Sequence, residues 1–142
     1  MLSLSLLWIE KMNAFDELEI KKTILKGIEE LGFTKPFPIQ SQAIPVLLAK
    51  QDVIGQAHTG TGKTAAFGFP IIQQIESDKT QTQAIILCPT RELCLQITKD
   101  LDTYSKYIKK LKITPIYGGS NIQSQIRALK SGSQIVVGTP GR

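Results

Sequence analysis

The stretch "AHTGTGKT" occupies residues 57–64 and follows a short apolar run. A buried strand, a glycine-rich turn and a helix that opens with Lys-Thr would gather several backbone N–H groups at one point, which favours bound phosphate. Gly60 and Gly62 let the backbone approach that phosphate without a Cβ atom. Lys63 can reach β- and γ-phosphates, and the Thr64 hydroxyl can bind Mg²⁺. The stretch therefore predicts a phosphate-binding loop within an α/β fold.

Short apolar runs alternate with helical segments around this loop. The predicted strands cover residues 52–57, 83–89, 112–119 and 133–140, and the predicted helices between them cover residues 63–75, 91–107 and 122–130. Two further helices precede them, one within residues 15–33 that Gly32 would cap and one at residues 41–49. This alternation is typical of right-handed βαβ units. The expected fold is an α/β P-loop domain with a parallel sheet of about four strands and helices on both faces.

The charge of the chain is unevenly distributed. The chain has 142 residues, a length that suits about one domain. Its net charge is +5. Residues 1–71 hold seven side chains of each sign, whereas residues 72–142 hold ten basic and five acidic ones. The basic excess favours a polyanionic partner, although lysines on solvated helix faces would give the same balance.

The cysteines, the histidine and the absence of a long apolar run limit the class of protein. Cys88 and Cys94 lack the spacing of zinc ligands, so we expect two buried, reduced thiols and a cytoplasmic location. His58, the one histidine, is expected to face solvent in the loop and cannot form a metal site alone. No apolar run approaches the roughly 20 residues that span a bilayer, so no membrane segment is expected.

The first eleven residues, "MLSLSLLWIEK", superficially resemble a signal sequence. They have no basic residue before the apolar ones and no cleavage site of small residues, so we interpret residues 1–11 as an unprocessed extension. Met12 is an alternative start. The predicted domain then covers residues 12–142.

The loop departs at one position from the usual phosphate-binding pattern, and this residue indicates the protein family. The usual pattern, G-x-x-x-x-G-K-[ST], requires a glycine where this chain has Ala57. With alanine there, the stretch resembles motif I of the DEAD-box RNA helicases. Further matches in family order are Phe15, "GFTKPFPIQ" at residues 32–40, "PTREL" at residues 89–93, Gln96, Gly118, Gly119, Gln123 and "TPGR" at residues 139–142. They extend over nearly the whole chain after residue 12.

The resemblance implies that ATP is the nucleotide. In the family's Q motif region, here residues 13–41, Gln40 would read one edge of adenine, Phe33 would pack against the ring and Phe15 would close the pocket. Without the resemblance, both phenylalanines would be interpreted as core residues. The triphosphate would contact Ala57, His58, Thr59, Gly60, Thr61, Gly62, Lys63 and Thr64, the last two with catalytic roles. Phe37 departs from the family, which more often has threonine there.

The resemblance also implies a single-stranded RNA site. Hydroxyl, guanidinium and backbone N–H groups would contact the sugar-phosphate backbone without reading bases. Alternatively, Arg91 could pair with a carboxylate. The implied RNA-binding residues are Pro89, Thr90, Arg91, Gly118, Gly119, Gln123, Thr139, Pro140, Gly141 and Arg142.

Residues 12–142 do not include the carboxylate pair that the family supplies as Asp-Glu-Ala-Asp. They also do not include the family's second RecA-like domain. Asp16 and Glu17 precede the loop and are expected to start a solvated helix. We therefore interpret the chain as the N-terminal part of the first RecA-like domain, inactive by itself, of a protein that unwinds short RNA duplexes with ATP hydrolysis. Two alternatives remain at this stage, namely a small-molecule P-loop kinase and a non-catalytic nucleotide- and RNA-binding module.

Overall fold

The computed structural model describes residues 14–142. The expectations for residues 1–11 and for Met12 as a start lie outside the described residues. A short 3-10 helix, Asp16–Leu18, precedes five α-helices and three strands. In chain order they are α1 (Lys22–Glu30), α2 (Pro38–Leu48), α3 (Lys63–Gln74), β1 (Ala84–Leu87), α4 (Arg91–Tyr104), β2 (Ile113–Ile116), α5 (Ile122–Lys130) and β3 (Ile135–Gly138).

The three strands form one parallel sheet in the order β1-β3-β2, which confirms the α/β prediction. Ile135 and Val137 of β3 are buried against the core on one face. On the other face, Thr114 of β2 is buried and lies in register with Val136. Helix α5 packs against β2 there, while α4 packs against β2 and β3. Helices therefore lie against both faces, as expected.

The predicted first strand, at residues 52–57, does not form in the structure. A strand needs a neighbour that satisfies its backbone hydrogen bonds. Central β3 pairs with β1 on one side and β2 on the other, and neither outer strand pairs with this run. Ile54 is fully exposed as a result. Three of the four predicted strands are thus present in the part of the chain that the structure describes.

The helices follow their predicted positions closely. Helix α5 has the predicted bounds, and α3 begins as predicted at Lys63. Helix α2 begins earlier than expected because Pro38 occupies its first turn, where the missing N–H costs nothing. Phe37 at its N-cap offers no side-chain cap, yet the helix forms. Gly32 adopts a left-handed φ of 74° two residues after α1, close to its predicted capping role.

The helix that follows the phosphate loop is held rigidly by the core. Phe69 of α3 is fully buried, and its ring makes edge contacts with Phe15 at 6.1 Å and with Tyr104 at 4.9 Å between centroids. Gly68 lets α4 approach closely, since a Cβ atom there would lie 2.8 Å from a methyl carbon of Leu101. The N-terminus of α3 is therefore a fixed platform for the loop.

One part of the sheet is uncovered. Ile85 and Leu87 alternate with core residues along β1, and they are 68% and 70% exposed. Strand β1 also has β3 as its neighbour on one side alone. Exposed apolar side chains beside an unpaired strand edge favour association.

Cys88 and Cys94 are buried, reduced thiols, as predicted. Their sulfur atoms donate to the carbonyls of Gly138 at 3.5 Å and Val137 at 3.1 Å, and burial raises the pKa of the Cys94 thiol. We expect both to react with a disulfide reagent at least about 100-fold more slowly in the folded chain than after unfolding in guanidinium. Stopped-flow absorbance with both states would measure this. Rapid native labelling of two thiols would contradict the packing described here.

Candidate functional site

The loop before α3 has left-handed backbone conformations at two of its glycines. Gly60 and Gly62 have φ values of 81° and 74°, in the left-handed region that favours glycine. Gly62 is the N-cap of α3, so the first N–H groups of the helix face the loop. A Cβ atom on Gly62 would lie 2.2 Å from Nε2 of Gln40. Glycine is therefore required there both by φ and by space.

The loop is closed on itself in this structure. The Lys63 ammonium donates to the carbonyl of Ala57 at 2.6 Å, and the Thr61 hydroxyl donates to the carbonyl of His58 at the same distance. His58 and Thr59 are exposed, as expected for His58. Thr64 lies half-buried in the first turn of α3. The lysine is thus already positioned across the loop, with its charge accessible.

Gln40 connects this loop to the segment before α2. Its side chain is 2% exposed, and Nε2 donates to the carbonyl of Gly62 at 3.1 Å. Its Oε1 accepts from the backbone N–H of Phe37 at 3.0 Å. A carboxamide has two donor hydrogens and two acceptor lone pairs, so one of each is left for a ligand.

A cavity of about 420 Å³ adjoins Gln40. That volume suits a purine base, since small-molecule pockets usually range from about 300 to 1,000 Å³. Phe15 is fully buried in the core, and it also lines the cavity. The half-buried Phe33 likewise packs against the core and lines the cavity. Gln40 is thus shared by a base-sized cavity and the phosphate loop.

The remaining predicted site residues meet at one edge of the sheet. Leu87, Gly138 and Ile116, the last residues of the three strands, lie side by side in the parallel register. The loops that follow the strands therefore leave the sheet at the same edge, where open α/β sheets bind ligands.

The loop after β1 places Arg91 at the start of α4. The Thr90 hydroxyl oxygen accepts from the N–H of Leu93 at 3.2 Å and caps this helix. One of the two lone pairs of the hydroxyl is therefore already used. The guanidinium of exposed Arg91 lies over the Tyr117 ring, 4.9 Å from its centroid. No ion pair of Arg91 occurs within residues 14–142, so the aromatic contact replaces the carboxylate that we considered from the sequence.

The loops after β2 and β3 lie together. The N–H of Thr139 donates to the carbonyl of Ile116 at 3.0 Å, which joins the two strand ends. Arg142 donates from Nε to Oε1 of Gln125 at 3.4 Å, and its terminal nitrogen donates to the carbonyl of Ser120. The other predicted RNA-binding residues of this edge are exposed, namely Pro89, Gly118, Gly119, Gln123, Pro140 and Gly141.

Sequence reasoning missed three residues at this edge. Asn121 caps α5 by accepting from the N–H groups of Gln123 and Ser124, at 2.8 Å and 3.2 Å. Tyr117 supports Arg91, and Gln125 bonds Arg142. The Asn-x-x pattern before a helix could have revealed Asn121. The contacts of Tyr117 and Gln125 are tertiary, so no local sequence pattern predicts them.

Apart from Cys94 in α4, the groups with shifted pKa values lie away from these loops. The Lys106 ammonium and the Tyr107 hydroxyl bond the Glu30 carboxylate, which lowers the pKa of that carboxyl and joins α1 to the segment after α4. Burial raises the pKa of the Asp102 carboxyl, and it raises the pKa of Tyr104 to about 12. These groups lie in the helical layer rather than at the loop edge.

Comparison with protein families identifies the group to which this arrangement belongs. The DEAD/DEAH box helicase family matches residues 37–142. The chain belongs to the DEAD/DEAH box helicase family. The matched range includes Gln40, the phosphate loop and all three strand-end loops.

Individual relatives agree with the family. The chain is 47% identical over 131 residues to the DEAD-box ATP-dependent RNA helicase CshA of Geobacillus kaustophilus, which covers 92% of this chain and 28% of the relative. It is 50% identical over 128 residues to CshA of Streptococcus pneumoniae, covering 90% and 24%. The chain thus spans about a quarter of the length of these curated DEAD-box relatives.

A solved structure supports the fold. A DEAD box protein from the hyperthermophile Methanococcus jannaschii superimposes with a TM-score of 0.86 at 45% identity, covering 91% of this chain and 35% of that one. The chain therefore has the RecA-like fold of the DEAD-box helicases. Within residues 14–142, no helix has the length and apolar character to cross a bilayer.

Proposed function

We propose that this chain binds ATP and single-stranded RNA as the N-terminal part of the first RecA-like domain of an ATP-dependent RNA helicase. The observation that carries the proposal is the buried Gln40 amide, which joins a base-sized cavity to the phosphate loop. The relatives at about half identity are named DEAD-box ATP-dependent RNA helicases, which supports the same function.

Adenine would occupy the cavity beside Phe33, with Phe15 behind it. The unused donor and acceptor of Gln40 match the N6 amino group and N7 of adenine, as a glutamine reads adenine elsewhere. The segment at residues 13–41 would then act as the Q motif. Because Gln40 contacts the loop directly, adenine bound to Gln40 would lie next to the loop. The ribose would then direct the triphosphate toward it.

The triphosphate would displace the carbonyl of Ala57 from the Lys63 ammonium. Backbone N–H groups at the start of α3 would bind the phosphate oxygens, and the helix dipole favours that charge. Gly60 and Gly62 would keep the loop open to the phosphates, while His58, Thr59 and Thr61 would line it.

The Thr64 hydroxyl fits a magnesium ion that arrives with the nucleotide. Within residues 14–142 no three His, Cys, Asp or Glu side chains converge on one point, so this segment offers no complete metal cage. Mg²⁺ commonly takes one or two protein ligands and completes its shell with phosphate oxygens and water. When bound, it would neutralise charge on the β- and γ-phosphates.

RNA would lie along the carboxyl edge of the sheet. Guanidinium groups of Arg91 and Arg142, backbone N–H groups of the glycine loops and the Thr139 hydroxyl would contact phosphates. Gln123 is exposed at the start of α5 and would extend that surface. The basic excess in residues 72–142 supports an RNA partner.

The whole protein would couple ATP binding to closure of a second RecA-like domain on the RNA, and hydrolysis would reset the open state. Residues 12–142 would be part of the first domain. We place the protein in the cytoplasm because a reducing compartment suits its two free, buried thiols.

The base-reading role of Gln40 can be tested by Gln40→Ala. We expect the preference for ATP over GTP to fall by roughly 5- to 150-fold, the equivalent of ~1–3 kcal/mol for a bidentate contact to one base edge. Competition against a fluorescent nucleotide would measure both affinities. The variant also unpairs the carbonyl of Gly62, which weakens both nucleotides, so the ratio is the informative quantity.

Gln42→Ala is the matched control, because Gln42 is an exposed glutamine of the same helix. It should leave both affinities unchanged. An unaltered ATP-to-GTP ratio in Gln40→Ala would show that this residue does not read the base.

A further inference from the structure

We infer that Gln125 is a positioning residue that holds the basic side chains of the RNA-binding edge in place, an inference that rests on the proposed RNA site. Gln125 is 8% exposed and is the one buried residue of α5. Burying a carboxamide is costly unless its donor and acceptor are both bonded. Its surroundings therefore explain why a glutamine is suited to this position.

Both ends of the amide are bonded, each to a different loop. Nε2 donates to the carbonyl of Tyr117 at 3.0 Å, in the loop after β2. Oε1 accepts from Nε of Arg142 at 3.4 Å, in the loop after β3. The amide thus joins two of the three loops that leave the sheet at its carboxyl edge.

The third loop is reached through Tyr117. Its ring supports the Arg91 guanidinium at 4.9 Å, so fixing the Tyr117 backbone also fixes the surface on which Arg91 rests. The N-terminus of α5 is itself fixed by the Asn121 cap. Gln125 therefore links two arginines that no direct contact joins in the described residues.

Ordering these arginines before RNA arrives should strengthen binding. A free arginine loses rotamer freedom when it contacts a phosphate, and a pre-ordered one has already lost part of it. The gain amounts to roughly 2- to 10-fold in affinity per arginine. Because the contacts are to phosphates, the effect should be the same for every RNA sequence.

The test uses the 142-residue chain and Gln125→Met, which keeps the volume of the side chain but removes both hydrogen bonds. Fluorescence anisotropy with a labelled ten-nucleotide oligouridylate at low salt would give the Kd. We expect Gln125→Met to weaken binding by roughly 3- to 10-fold. Gln125→Glu keeps the acceptor for Arg142 but loses the donor to the carbonyl of Tyr117, so it should recover only part of the affinity.

Gln134→Met is the matched control for a merely structural role. Gln134 is also buried, at 3% exposed, and bonds the backbone of Lys112, Ser77 and Lys79 just before β3, at the opposite edge of the sheet. It should lower the thermal midpoint without changing the Kd for RNA. Equal losses of RNA affinity in Gln125→Met and Gln134→Met would overturn the inference.

Two further measurements separate this inference from the proposed function. Arg142→Ala combined with Gln125→Met should lose less affinity than the two single variants added together, because Gln125 acts in part through Arg142. If Arg142→Ala weakens RNA binding while Gln125→Met does not, the positioning role is wrong. If Arg142→Ala has no effect on RNA binding, the proposed RNA contact is wrong instead.

An RNA-independent readout completes the test. The Nε-bound proton of Arg142, observed through its ¹⁵N nucleus by NMR, should exchange with water more slowly in the original chain than in Gln125→Met. Equal exchange rates would overturn the positioning role whatever the chain does with RNA.

Discussion

Replacing Lys63 by alanine is expected to weaken ATP binding by roughly 10- to 150-fold, the range for losing a charge-assisted hydrogen bond of ~1.5–3 kcal/mol. AMP binding should hardly change, because AMP lacks the β- and γ-phosphates that the ammonium would contact. The bond from Lys63 to the carbonyl of Ala57 is also lost, but this exposed carbonyl can bond water instead. Losing this bond therefore changes the free energy of the unliganded chain little, and the loss of ATP affinity reports mainly on the phosphate contact.

Titration of a fluorescent ATP analogue, with AMP as competitor, measures both affinities. Lys99→Ala is the matched control, since it removes one exposed positive charge from α4 without touching the loop. Equal losses for ATP and AMP in Lys63→Ala would mean that the lysine supports the loop as a whole rather than the terminal phosphates.

The second large effect is expected for Gly62→Ala. Alanine at a φ of 74° costs about 1–2 kcal/mol of backbone strain, and its Cβ would also displace the Gln40 amide. Because the substitution disturbs the base contact and the phosphate loop together, we expect at least a roughly tenfold loss of ATP affinity in addition to lower stability.

Gly132→Ala separates strain from function. Gly132 has a φ of 92° and contacts Thr80, far from the loop, so alanine there should lower the thermal midpoint and leave ATP binding intact. Calorimetry and nucleotide titration of both variants would measure the two effects. Unchanged ATP affinity in folded Gly62→Ala would refute the close fit of Gly62 against Gln40.

The sequence predicted those features that depend on local chemistry. The bounds of α5, the start of α3 at Lys63 and the left-handed glycines follow from capping, periodicity and backbone sterics. The parallel arrangement followed from alternation alone, and it brought the predicted RNA-binding loops to one edge.

Features that depend on tertiary partners were not predictable in the same way. Residues 52–57 have the composition of a buried strand, but composition does not supply the neighbour that a strand requires. Gln125 resembles any polar residue on a helix until Tyr117 and Arg142 are seen beside it. Thr90 illustrates the same difference, because its hydroxyl caps α4 as well as facing the proposed RNA surface.

The hydrogen bond between Gln40 and Gly62 makes the two halves of the proposed nucleotide site interdependent. Adenine that engages the amide would alter its bond to the loop, and phosphate that reshapes the loop would alter the amide. By thermodynamic linkage, adenosine must change the affinity for triphosphate by the same factor as triphosphate changes the affinity for adenosine. Binding adenosine and triphosphate separately and together would give this factor, which is the coupling free energy between the two halves of the proposed site.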